Sequence, residues 1–323
     1  MKLEKIYKEI ANCIVSINLR SSPEQNTINN ASYNPIIGTG FVVGEEGIIL
    51  TCGHIVDAIV ERADFDSLNE FNKNTSEIVE KLKKGQRVNS KFVEARGDCP
   101  AYINFFIDDG KGVYICPCNI IRANKIVGIK NSCNRINSKI PDLGLLEVDV
   151  RDLKKVQICN DYKIIDAGTD VGTSGFPMGK DLLIGKEVID NNRREYLQQA
   201  SPTLKKGIIS AILPMKCERP ELFMTDIMVQ GGQSGSPLFL VDTGEVIGVV
   251  IESIHQNFNY KYKINSTELV IQIPIPTGLS YSVPLHFLEK DINIFKEKIL
   301  TGKKDLKNLI EKNLENGETV FVK

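Results

Sequence analysis

The chain has 323 residues, 42% of them hydrophobic and 25% charged, and a net charge of −1. The length suits one large or two small globular domains. No overall basic field invites nucleic acid, and no run of about 18 apolar residues offers a membrane span.

Met1 to Ile10 is charged and helical in pattern and lacks the apolar stretch of a signal peptide, which predicts a cytoplasmic location. Residues 2–11 read as a helix and Cys13-Ile14-Val15-Ser16-Ile17 as a first strand. Residues 20–35, rich in Ser, Asn and Pro, read as a loop. Strands follow near 36–43 and 47–53, and residues 55–84 form an insert. Within it, Asn74-Thr75-Ser76-Glu77 resembles a capping box, Ile78, Val79 and Leu82 recur at helical spacing, and Gly85 ends the run. Tyr102–Ile107 and Val113–Cys116 flank a Gly-containing turn as a hairpin. Further strands are expected near 123–129 and 143–149, and helices over 284–299 and 303–315. The apolar residues of the tail are expected to pack on the second half of the chain.

Three segments carry chemistry. In Thr51-Cys52-Gly53-His54, an apolar strand reads as delivering an imidazole at its end. An imidazole titrates near neutrality and can take and return a proton. In Pro141-Asp142-Leu143-Gly144-Leu145, a carboxylate heads an apolar strand, where it is costly without a partner. In Gly232-Gln233-Ser234-Gly235-Ser236-Pro237, a hydroxyl sits in a glycine turn. A serine needs an adjacent base to become a nucleophile. Asp142 would fix the His54 tautomer, and the Gly232 and Ser234 N–H groups would hold an oxyanion, each donor being worth about 3 kcal/mol of barrier. The order His, Asp, Ser predicts a set that meets only through the fold.

At these residues the chain resembles the trypsin-like serine peptidases of the chymotrypsin fold, most closely the bacterial Deg-type branch. Gly38-Thr39-Gly40-Phe41-Val42-Val43 resembles that branch's opening hairpin, and Val171 to Pro177 the first strand of its second barrel. Lys206 to Ala211, Thr225-Asp226, Gly244 to Val249 and Ser282-Val283-Pro284 continue the likeness over most of residues 10–300. The resemblance implies an all-β fold with helical additions: two packed antiparallel β-barrels, a helical insert after the His and C-terminal helices. It divides the chain into an N-terminal barrel half (1–160, insert near 55–84), a C-terminal barrel half (161–285) and a helical tail (286–323), the tail being too short for a PDZ module.

The same resemblance implies a serine endopeptidase working through an acyl-enzyme, with catalytic residues His54, Asp142 and Ser234 and oxyanion donors Gly232 and Ser234. By position relative to Ser234, Met228 would floor the substrate pocket and Ile251, Glu252 and Ser253 would line it. An apolar floor favours an uncharged aliphatic residue before the cut bond. The substrate is then protein or peptide, with regulation by a partner or by loop ordering, and no cofactor or metal is called for. Gln233 and Ser236 depart from the family's usual Asp or Asn and Gly. Gln233 removes the trypsin-type switch, in which a freed N-terminus pairs with a carboxylate. Both departures motivate an alternative, a catalytically silent trypsin-fold binding or sensor module. A second alternative, an α/β-hydrolase using Ser234, Asp242 and His286, lacks the Gly-x-Ser-x-Gly elbow at Ser236.

The eight cysteines are expected as thiols in a reducing compartment. Cys99, Cys116, Cys118 and Cys133 allow a zinc site, but their spacing is not a paired C-x₂₋₄-C pattern, and scattered strand cysteines are the plainer reading. Abundant Asn, Lys and Ile point to an AT-rich microbial genome.

Overall fold

The computed structural model describes residues 3–19, 36–63, 93–94, 101–108, 113–125, 141–177, 188–190, 193–195, 202–215, 220–264, 267–288, 302–315 and 320–322. Helix α1 (Leu3–Ala11) turns Ile6 and Ile10 into the core. The first half holds β1 (Ile14–Leu19), β2 (Ile36–Gly44), β3 (Ile48–Thr51), helix α2 (Gly53–Ala63), β4 (Val93–Glu94), β5 (Ala101–Asp108), β6 (Val113–Lys125) and β7 (Gly144–Val148). The strands β1, β2, β3, β7, β6 and β5 pair antiparallel in that order, and β5 returns to β1, so the sheet closes on itself. Closure removes the free edges that an open sheet would present.

A connecting segment carries β8 (Val150–Arg151) and leads to β9 (Asp170–Gly175). Then come the short ribbon β10 (Val188–Asp190) and β11 (Arg193–Glu195), followed by β12 (Thr203–Leu213), β13 (Leu222–Thr225), β14 (Pro237–Leu240), β15 (Val246–Ile264) and β16 (Thr267–Pro284). Here β12, β13, β16, β15, β14 and β9 form a second closed barrel. The expected two-barrel, all-β architecture is what the chain adopts. Phe176 and Phe239 from the second half sit fully buried in the core of the first, and the Phe176 ring lies 4.8 Å from that of Phe106.

Several local expectations change. The two strands read near 113–116 and 123–129 are one strand, β6, which runs on through Pro117 opposite Asn104. The strand before His54 stops at Thr51, and α2 begins at Gly53, so the imidazole stands in the first turn of a helix. The capping box at 74–77, the helical spacing at 78–82 and Gly85 lie outside the described residues.

The tail docks on the first barrel, not the second. There β17 (Lys304–Asp305) pairs with β8, helix α3 (Leu306–Glu315) buries Leu309 in the first core, and β18 (Val320–Val322) pairs with β6. The reason is electrostatic as well as apolar. Glu147 is fully buried on β7, cross-strand from Arg122 on β6, and the Arg122 Nε–H donates to its carboxylate at 2.5 Å. Lys303, ahead of the tail helix, brings its ammonium within 2.5 Å of the other carboxylate oxygen. Glu147→Leu would strand two buried cations, and breaking a buried pair costs about 3–5 kcal/mol. Urea unfolding of Glu147→Leu is expected to show a loss of that size. A midpoint equal to wild type would show that these charges contribute nothing net.

The second barrel carries a feature the sequence reading did not include. Beyond Ser253, β15 and β16 continue as a long two-stranded ribbon, register-paired from His255↔Pro276 to Ile264↔Thr267. Phe258 opposes Ile273 and Tyr260 opposes Ile271, so these exposed side chains share one face. Among the described residues no helix is long and apolar enough to cross a membrane.

Candidate active site

The site is assembled from the start of helix α2, the Asp142 segment ahead of β7 and the Ser234 loop ahead of β14. Helix α2 leaves the N–H groups of its first turn without intrahelical partners. One of them, the His54 N–H, donates to Asp142 Oδ1 at 2.8 Å. The other oxygen of that carboxylate, Oδ2, lies 2.6 Å from the His54 ring atom Nδ1. A single carboxylate thus holds the backbone and the ring of the same residue, which fixes the imidazole at both ends. The His54 side chain is 47% exposed and that of Asp142 32%, so the far edge of the ring faces open space.

The loop carrying Ser234 is fastened to the strands that lead to His54. Thr39 on β2 donates its N–H to the Ser234 carbonyl at 2.8 Å and its hydroxyl to the Gly232 carbonyl at 2.7 Å. The same hydroxyl accepts the Phe176 N–H at 3.0 Å. Gly235 has φ +88°, and a Cβ there would lie 1.9 Å from the Thr39 carbonyl oxygen, so only glycine allows this approach. Its N–H donates to the Val250 carbonyl, which also accepts the Cys52 thiol at 3.3 Å. Cys52, two residues before His54, and Gly235, next to Ser234, therefore share one acceptor.

Gly232 also has a positive φ, +90°. Among the described residues neither the Gly232 nor the Ser234 N–H has an acceptor, while the intervening Gln233 N–H donates to the Gln230 carbonyl. The Ser234 hydroxyl donates to the Ile251 carbonyl at 2.9 Å, and no hydrogen bond joins it to His54. Ser236, where the resemblance expects glycine, is fully buried. Its hydroxyl occupies space beside Gly175, where an added Cβ would meet it at 2.0 Å, so the extra atoms fill a gap left by a glycine.

Of the residues assigned to the substrate pocket, Met228 is 47% exposed, Ile251 and Ser253 are half-buried and Glu252 is exposed. Sequence reasoning missed two residues that organise this region. Thr39 appears in the sequence only as part of the opening-hairpin likeness. Lys205 on β12 reaches over to donate to the Met228 carbonyl at 2.7 Å and to Gln233 Oε1 at 2.8 Å. Burial lowers the pKa of this ammonium from its usual value. Gln233 is fully buried, and its Oε1 also accepts the Gln230 N–H at 3.0 Å.

The donor atoms of Cys52, His54 and Asp142 lie within 4.8 Å of one another. The contacts above account for this grouping, since the thiol is turned to Val250 and the carboxylate to the ring. Burial, then the Asp142 charge, push the Cys52 thiol well above its usual pKa. It should therefore stay protonated and unreactive. Iodoacetamide at mildly alkaline pH is expected to leave Cys52 unmodified in the folded protein and to alkylate it in denaturant, as read by peptide mass spectrometry. Rapid alkylation of folded protein would contradict this placement. Cys116 and Cys118 are buried on β6, while Cys99 and Cys133 lie outside the described residues. The α/β-hydrolase alternative is overturned by the two antiparallel barrels. Asp242 is exposed in the turn after β14, and the His286 ring packs edge-on against Tyr162.

No curated protein sequence matches the chain. Among solved structures it is similar to the HtrA-type protease AlgW with a decapeptide, at 14% identity, 92% of this chain, 68% of that chain and a TM-score of 0.48. It is also similar to a serine endoprotease from Yersinia pestis, at 16% identity, 92% and 68% coverage and a TM-score of 0.46. The family described as "Trypsin-like peptidase domain" matches residues 38–249, more than half of the chain. The chain therefore belongs to the trypsin-like peptidases and is a serine endopeptidase built on two β-barrels.

Proposed function

We propose that the chain is a Deg-type serine endopeptidase that cuts peptide bonds through an acyl-enzyme, with Ser234 as nucleophile, His54 as general base and Asp142 as its orienter. The observation that carries this reading is the double hold of Asp142 on His54 beside a loop whose Gly232 and Ser234 N–H groups are open. An extended substrate adds its N–H to the Ile251 carbonyl and displaces the Ser234 hydroxyl, which turns toward His54 Nε2. The ring takes the hydroxyl proton as Oγ bonds the substrate carbonyl carbon, and the carbonyl electron pair moves onto oxygen. Gly232 and Ser234 N–H groups receive that oxyanion. The imidazolium, stabilised by Asp142, returns the proton to the leaving amine, and water repeats the sequence on the ester.

The pocket is read as Met228, Ile251, Glu252 and Ser253, favouring an uncharged aliphatic residue before the cut bond. The Lys205 ammonium, 2.7 Å from the Met228 carbonyl, adds repulsion against Lys or Arg. We take residues 1–160 and 161–285 as the halves of one peptidase unit with 286–323 as its tail. Its location is read as cytoplasmic, which suits a chain with buried free thiols at Cys13, Cys52 and Cys159. Restraint by loop ordering or by a partner fits a hydroxyl that rests on Ile251.

That resting contact equally favours a second reading, the silent binding module. A fluorophosphonate probe separates the two. Covalent labelling mapped by mass spectrometry to Ser234, with cleavage of a peptide library after aliphatic residues, is the expected result. Absence of labelling under every condition, with or without peptide, would leave the module as the better account.

A further inference from the structure

We infer that Lys205 is a positioning residue for the oxyanion segment, an internal cation that holds residues 228–233 in the shape the reaction needs. The inference rests on the serine-peptidase reading above and goes beyond it by naming what keeps that segment in place. Between β13 and Ser234 the chain has no strand partner and must be fixed by individual contacts. Thr39 fixes the far end, donating its hydroxyl to the Gly232 carbonyl and its N–H to the Ser234 carbonyl. The near end is fixed by Lys205, whose ammonium bridges the Met228 carbonyl and the buried Gln233 side chain. Gln233 Oε1 in turn accepts the Gln230 N–H, so the ammonium, the side-chain oxygen and the turn 230–233 form one linked unit.

Three observations set this contact apart from a surface lysine. The side chain crosses from β12, where Lys205 is paired with Thr173 of β9, to Met228, 23 residues further along the chain. Its two acceptors leave β12 for the pocket floor and for the residue between the two open N–H groups. Gln233 Nε2 is buried without a hydrogen-bond partner among the described residues. An amide kept in that orientation, against the cost of its own unmet donor, is being used for its oxygen. Gln233 has no charge to offer, so a cation carried permanently by the chain does the holding, and no freed terminus is required.

A clamp of this kind acts on the transition state more than on substrate binding, because it sets where the two N–H groups aim. Lys205→Met is expected to lower kcat about 10- to 100-fold with KM within about threefold, and to slow fluorophosphonate labelling to match. Lys205→Arg should recover most of the rate, since guanidinium also donates to two oxygens. Hydrogen exchange over residues 228–236 should rise in Lys205→Met while the melting temperature stays near wild type. A folded Lys205→Met enzyme that reacts at the wild-type rate, or one whose loss lies wholly in KM, would overturn the assignment. If Lys205→Met does not fold, Gln233→Leu removes the shared acceptor and must show the same loss in kcat. If wild type itself is never labelled, the peptidase reading fails. Exchange at 228–236 then still decides whether Lys205 holds the segment, and unchanged exchange would dismiss it.

Discussion

Ser234→Ala is expected to lower peptide hydrolysis about a millionfold in kcat, and His54→Ala to lower it by about the same factor. The reason is that the two act as one unit. A hydroxyl without a base is a poor nucleophile, and a base without a hydroxyl has nothing to activate. The double variant is therefore expected to be no slower than either single one. Substrate contacts at Ile251 and the pocket remain, so KM should change little. Active-site titration against residual turnover, with each variant's melting temperature as a folding control, checks this. Either single variant keeping more than a hundredth of wild-type turnover would remove that residue from the chemistry.

Asp142→Asn is expected to lower kcat about ten-thousandfold, through hydrogen-bond direction and not through shape. Asp142 accepts from the His54 backbone N–H with one oxygen and meets the ring Nδ1 with the other. An asparagine has only one oxygen. The backbone N–H can only donate, so that oxygen stays with it and the amide NH₂ turns to the ring. Nδ1 must then be unprotonated, which puts the ring proton on Nε2, the atom that should receive the Ser234 proton. The helix contact survives, so thermal stability should hardly move. Steady-state kinetics read the loss, and an NMR spectrum of the ring nitrogens reads the tautomer. A variant with the proton still on Nδ1 and a near-normal rate would refute the argument.

The residues proposed to carry this chemistry stand out in the sequence because each sits in a short segment with a local reason to be unusual. A histidine ending an apolar run, a carboxylate heading a buried strand and a serine between glycines all look out of place in sequence, and the fold brings His54 and Asp142 into contact. Both barrels were legible through strand patterns and the likeness to a known family. The start of α2 at Gly53 was not, because Gly-His-Ile-Val is weak in helical propensity and the helix end is satisfied by Asp142, which is 88 residues away from His54. Lys205 was hidden because a lysine in a strand ordinarily faces water, and only the folded loop supplies its acceptors. The tail's docking on the first barrel depends on Lys303 meeting Glu147, a pairing no local pattern encodes. The ribbon of β15 and β16 does have an alternating pattern in Phe258, Tyr260 and their partners, but its free-standing character is set by the absence of further strands beside it among those described.

Among the described residues, that ribbon is guarded on one side only. Pro274 and Pro276 lie two apart on the return strand, opposite Asn257 and His255. A proline tolerated in a two-stranded ladder turns its missing donor outward. The outer rim of β16 therefore lacks two amide hydrogens that an intruding chain would need, while β15 carries no proline along the ribbon. Crowded copies of this molecule are thus discouraged from zipping together along β16, and the rim left open is the one that runs on from Ile251.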